Sequence, residues 1–87
     1  MNGLFSDTVI TYDYIPHPID LSPVHIIISG VMDSDTPIGE YLYYEIKDTE
    51  GKCFNQEDPF DHIPTRIEVV EFMMIRYICQ HPELLKR

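Results

Sequence analysis

The amino-acid sequence predicts an α+β domain, a small antiparallel β-sheet of three to four strands with one C-terminal α-helix packed on one face. Three observations carry this expectation. Isoleucine is the commonest residue, at twelve, and alanine is absent, a bias that favours strands over the first two thirds of the chain. Thr65-Arg-Ile-Glu68 forms a capping box just ahead of an apolar run, the signature of a helix start. The chain has 87 residues with 44% hydrophobic types, ample for one modest core and too few for two, so residues 1–87 are read as one domain.

Residues 8–15 read as the first strand, closed by Pro16-His-Pro18, which cannot continue a ladder. Residues 24–32 form the most apolar stretch and the central strand, apolar on both faces, with Pro23 just before it where a missing N–H does least harm. Asp33-Ser-Asp-Thr-Pro-Ile-Gly39 is a turn cluster. The third strand follows over 40–47, placing Leu42, Tyr44 and Ile46 on one face and Tyr41, Tyr43 and Glu45 on the other. Asp48-Thr-Glu-Gly51 suits a type I turn with glycine in the left-handed position, returning the chain into a short fourth strand at 52–55.

After a polar loop over 56–63, the helix runs from the Thr65 cap to about Gln80 or His81, where Pro82 stops it. Residues 83–87 form a short tail. At 100° per residue, Ile67, Val70, Met74, Tyr77 and Ile78 share one arc and are the expected sheet-facing stripe. The opposite side carries Val69, Phe72, Met73, Ile75 and Cys79, broken by Glu68, Glu71 and Arg76. A helix apolar nearly all round is normally buried on both sides. Either residues 1–7 and the 56–63 loop, with Phe5, Phe54 and Phe60, wrap over this second face, or Val69, Phe72, Met73 and Arg76 form an interface between copies of the chain.

Fifteen acids stand against six bases, a formal net charge of −9. Residues 1–46 contain no Lys or Arg but seven acids: Asp7, Asp13, Asp20, Asp33, Asp35, Glu40 and Glu45. This is the reverse of the basic footprint that phosphate neutralisation requires, and it disfavours anionic membrane surfaces. A basic partner or a cation is what such a field attracts. No window approaches the roughly 18 apolar residues of a membrane span. The start Met1-Asn-Gly-Leu-Phe-Ser-Asp7 lacks the basic and apolar regions of a secretory signal. With only Cys53 and Cys79, and no C-x-x-C, the expected compartment is the cytoplasm with both thiols reduced.

Chemical motifs are sparse. Histidines 17, 25, 62 and 81 show no H-x-x-x-H spacing, and Asp61-His62 with Cys53 is the one local cluster with metal-ligand chemistry. Asp33-Ser-Asp35 followed by Glu40 begins like a calcium loop, but Pro37 and Ile38 occupy positions where a ligand and a glycine are needed. There is no G-x-S-x-G and no glycine-rich phosphate loop, and a Cys53/His62 pair is no more than four histidines would supply by chance. No metal, no cofactor and no enzymatic activity are expected.

The Tyr41/Tyr43 pair, with His25 and Ile27 on the same sheet face, is the more informative constellation. Tyr is enriched at recognition surfaces, and in a basic protein such a face would stack bases. Here the charge points to a basic protein partner. The expected function is a non-enzymatic acidic binding protein that docks on a basic nucleic-acid-binding protein and blocks it by charge mimicry. Asp13, Asp20, Asp33, Asp35, Glu40 and Glu45 would supply association rate, with Tyr41 and Tyr43 as anchors. A short, alanine-free, strongly acidic chain is also the general character of inhibitors carried on phages and mobile elements and of immunity proteins, a likeness of composition with no motif behind it. The alternative is a small homo-oligomeric structural or assembly protein, a dimer in the simplest case, joined through the outer helix face.

Overall fold

Thr8, Val9, Ile10 and Thr11 lie in the first and longest strand, β1 (Phe5–Pro16), which runs antiparallel to β2 (Pro23–Met32). β2 is in turn antiparallel to β3 (Tyr43–Lys47), giving a three-stranded sheet in the order β1-β2-β3. One α-helix, α1 (Arg66–Gln80), follows, and a 3-10 turn over Pro82–Leu85 ends the described chain. The architecture is the expected α+β, seen in a computed structural model that describes residues 3–37 and 39–85. Met1, Asn2, Ile38, Lys86 and Arg87 lie outside the described residues, and with them parts of the segments 1–7 and 83–87 discussed above. No helix among the described residues is long and apolar enough to cross a membrane.

The turns are built by short polar side chains. Between β1 and β2, Asp20 accepts from the Ser22 N–H at 3.0 Å and from its hydroxyl at 2.7 Å, while Leu21 takes a left-handed φ of 62°. After β3, Asp48 accepts from the N–H groups of Glu50 and Lys52 at 2.8 and 2.9 Å. Gly51, at φ 88°, closes that turn by donating to the Asp48 carbonyl at 3.1 Å. This is the turn the sequence predicts.

The fourth strand is not formed. Residue 53 makes an isolated bridge to Lys47, and Phe60 makes another to Tyr44. Between them Asn55 turns inward, and its side chain takes over a strand's role. Its Oδ1 accepts the Ile46 N–H at 2.8 Å and its Nδ2 donates to the Tyr44 carbonyl at 3.4 Å. The Phe54 N–H donates to the Ile46 carbonyl at 2.8 Å, and Tyr44 and Phe60 exchange two backbone bonds at 2.8 and 3.1 Å. The outer edge of β3 is thus closed by a loop and one carboxamide. The third strand is also shorter than expected, beginning at Tyr43 and not at Glu40.

The core joins Ile15, Ile26, Ile28 and Ile46 from the sheet to Phe54 and to Val69 and Met73 from α1. Val69 and Met73 are completely buried, whereas Ile67 is 71% exposed. The sheet-facing arc of the helix is therefore rotated by roughly 110° from the predicted one, counting 100° per residue. Val69 and Met73, expected at an interface between copies, belong to the core and leave that interface. The rotation is set at the helix start. Thr65 accepts from the Glu68 N–H at 3.2 Å and Glu68 accepts from the Thr65 N–H at 2.9 Å, the predicted capping box. Tyr12 in β1 donates to the carbonyl of buried Pro64 at 2.8 Å, and Arg66 donates to the Asp13 carbonyl. These anchors turn the 69/73 stripe inward.

Two stability measurements check this packing. Asn55→Ala leaves the buried Ile46 N–H without an acceptor and should cost about 1–3 kcal/mol. In denaturant melts Met73→Ala should cost about 2–5 kcal/mol, and Met74→Ala, on the partly exposed flank of α1, less than half as much. Equal losses at 73 and 74 would contradict the helix rotation described here.

Candidate functional site

Tyr41 precedes β3 in an irregular segment and folds over the backbone of Gly30, where a Cβ would overlap its ring. Gly30 pairs with Tyr44 and Val31 pairs with Tyr43, so Tyr41 and Tyr44 share one face of the sheet and Tyr43 lies on the other. Of the expected Tyr41/Tyr43 pair on a common face with His25 and Ile27, Tyr43 keeps to the Ile27 face and Tyr41 does not. The reason is local. Regular alternation begins only at Tyr43, and the absent side chain at Gly30 leaves the hole that Tyr41 fills. Tyr41 stands 5.7 Å from Tyr44, ring centre to ring centre, at 56°, and its hydroxyl reaches Asp7 of β1 at 3.5 Å.

Around this ring residues 33–37 and 39–42 of the connection to β3 build an acidic hollow of about 520 Å³, lined by Asp33, Asp35, Glu40, Tyr41 and Tyr44 among others. Asp33 organises the connection. Its Oδ1 accepts from the Asp35 N–H at 3.0 Å and from the Thr36 hydroxyl at 2.8 Å, and the same hydroxyl accepts the Asp33 N–H at 3.0 Å. The Thr36 hydroxyl first and the Asp35 N–H second hold the Asp33 carboxyl below the ordinary carboxylate range, so it stays ionised. Loss of solvent and then the Asp7 carboxylate push the Tyr41 phenol above its ordinary value, so it stays a neutral donor. Glu40 donates its N–H to the Pro37 carbonyl at 3.1 Å and Leu42 donates to Val31 at 2.7 Å, tying the hollow to β2.

The other residues expected to bind a partner are dispersed. Asp20 lies in the 17–22 turn, at the opposite end of β2 from Asp33, and ten residues of strand place those ends roughly 30 Å apart. Its carboxyl is held below its usual range by the Ser22 N–H and hydroxyl. Asp13 lies at the β1 bulge and engages His25 Nδ1. Glu45 pairs with Lys47 at 3.5 Å and, with Tyr43, lines a smaller hollow on the opposite face of the sheet. Four of the expected residues, Asp33, Asp35, Glu40 and Tyr41, come together, and Asp7 joins them. The sequence signal for Asp7 was its charge alone, because its proximity to Tyr41 is set by strand register.

On the helix, Phe72 is half-buried against Phe60, at 6.3 Å between ring centres, and the Arg76 guanidinium lies 4.6 Å over the Phe72 ring and 3.7 Å from Glu57. The 56–63 loop thus covers part of the outer face, as one alternative predicted. The described part of the 1–7 segment does not, since residues from Phe5 onward belong to β1. Phe54 is in the core. His62 sits between Asp61 at 2.8 Å and Glu68 at 2.7 Å, which raises its pKa through the Asp61 and then the Glu68 hydrogen bond. Cys53 instead donates to Asn55 Oδ1 at 3.4 Å, and burial pushes its thiol up. Among the described residues no group of three or more His, Cys, Asp or Glu side chains is placed to hold a metal ion.

Comparison with family models, with curated proteins and with solved structures finds no match to this chain.

Gly30→Ala checks the construction of the hollow. The added methyl should expel the Tyr41 ring and lower the melting temperature, whereas Gly30→Ala combined with Tyr41→Ala should recover most of the loss. Additive losses in the double variant would show that the two positions are not coupled.

Proposed function

We propose that this chain is a non-enzymatic acidic binding protein that docks on a basic nucleic-acid-binding protein and blocks it by charge mimicry, in the manner of phage or mobile-element inhibitors and immunity proteins. The supporting observation is the grouping of Asp7, Asp33, Asp35 and Glu40 round Tyr41 at one end of the sheet. Carboxylates grouped about an aromatic donor give a basic surface both long-range attraction and one anchor. The array is smaller than composition alone suggested, because Asp13, Asp20 and Glu45 are spent on local pairs elsewhere. In this reading the protein works in the cytoplasm, needs no cofactor and has no contact of its own with nucleic acid or membrane.

A second reading, a homo-oligomeric assembly protein, is favoured by the outer side of α1. Ile67 and Ile75 are 71% and 60% exposed, and Phe72, Ile75, Arg76 and Cys79 line an open hollow of about 420 Å³. Phe72 and Arg76 remain in such an interface, with Ile75 replacing the buried Val69 and Met73.

The two readings separate by experiment. The wild-type chain should capture a basic nucleic-acid-binding protein from host extract and relieve that protein's hold on DNA or RNA. Asp35→Lys/Glu40→Lys should slow association at low salt by at least about tenfold, an effect that shrinks as salt screens the charges. Capture of a neutral or acidic protein, or a variant that associates as fast as wild type, would contradict the mimicry reading. A dimer in sedimentation that Ile75→Glu returns to the 10.2 kDa monomer would support the second.

A further inference from the structure

The two edges of the sheet are finished differently. On β3, Phe54, Asn55 and Phe60 take up the outward backbone groups of Tyr44 and Ile46. β1 is the other edge strand, and among the described residues no segment pairs with its outer side. An open edge offers backbone N–H and C=O groups to an added strand. Proteins blunt such edges with short length, lysine, proline or bulges. β1 is twelve residues long, contains no Lys or Arg, and its only proline is its last residue. It does carry bulges, at Val9 and at Asp13/Tyr14. The second, with Tyr14 at a left-handed φ of 61° and the Asp13 carbonyl occupied by Arg66, ends the usable edge. What stays open is residues 5–12, where Asp7, Thr8 and Thr11 are exposed and Phe5 and Ile10 are 57% and 39% exposed.

We propose that a basic extended segment of a partner protein adds to β1 along residues 5–12 as a fourth strand. This rests on the acidic-docking reading and names its main-chain contact. Charge selects the occupant. Asp7 lies within the open stretch, and no Lys or Arg precedes Lys47, so a Lys or Arg side chain opposite Asp7 on the added strand meets an acid and no base on β1. Phe5 and Ile10 share the face of Asp7, so the aliphatic stems of basic side chains on that face would rest on them, while the alternate side chains of the added strand meet Thr8 and Thr11 on the other face. A second copy of this chain is a poorer occupant. Antiparallel self-pairing over 5–12 puts the Asp7 of both copies on one short ladder with no Lys or Arg on either strand to offset them. Each copy also brings a net charge of −9.

The test is titration of the full chain with a peptide of about eight residues alternating Lys with Val, followed by amide hydrogen exchange. Exchange should slow within 5–12. N-methylation of one set of alternate peptide amides should weaken binding at least about tenfold while methylation of the other set leaves it, the mark of a strand using one edge. Asp7→Lys/Thr11→Lys, with an unchanged melt, should weaken binding as much. Binding that neither methylated set alters and that Asp35→Lys/Glu40→Lys abolishes would overturn the edge site and leave the acidic-docking reading standing. Equal protection of 5–12 by a Thr/Val peptide would overturn the basic occupant and count against that reading too. A dimer that Asp7→Lys/Thr11→Lys dissolves, or no peptide binding at all, would overturn the proposal.

Discussion

The buried side chain of Asn55 decides where this sheet ends. Its amide satisfies Ile46 and Tyr44 on the outer edge of β3, and a carboxamide can do so because it carries an acceptor and a donor in one plane, as a peptide group does. A fourth strand would have continued the ladder outward. With Asn55 in its place the chain turns instead, through the bond from the Asp58 N–H to the Asn55 carbonyl at 3.1 Å, and delivers Phe60 and Pro64 to the start of α1. The helix therefore arrives over the Ile15, Ile26, Ile28 and Ile46 end of the sheet. The far part of the β1–β2 pair is left uncovered by it.

That uneven cover explains the molecule's elongation, 50 Å by 22 and 21 Å, and the location of the acidic hollow. Beyond the helix, the face of the sheet is covered by the Tyr41 ring, with Gly30 below and Asp7 beside it. The carboxylates gather where the core runs out, on a side where Asp35 and Glu40 are exposed to solvent. Thr36 and the backbone of Asp35 hold the Asp33 carboxyl below the ordinary carboxylate range by hydrogen bonding. The open edge of β1 begins at the same end.

Local chemistry was legible in the sequence wherever it involved residues a few positions apart. Asp48 and Gly51 made their turn, Thr65 and Glu68 their capping box, and the prolines at 16, 23 and 82 marked element ends. The helix face was not legible, because Val69, Phe72, Met73 and Ile75 are as apolar as Ile67, Val70 and Met74, and periodicity cannot choose between two apolar sides. Of the expected partner-binding residues, those of the 33–41 stretch were brought together because they are neighbours in sequence. Asp20, Tyr43 and Glu45 were grouped with them by composition and then separated by strand length and alternation.

By itself the sequence determined the class of fold, the acidic balance and the punctuation between elements, since propensity, net charge and turn geometry act over a few residues. Only the tertiary structure decided which side of α1 is buried, that residues 52–55 supply a side chain in place of a strand, and that Tyr41 meets Asp7 across 34 positions. Each of these depends on which distant backbone groups and holes are available to be filled. That is a property of the assembled sheet, and no window of sequence contains it.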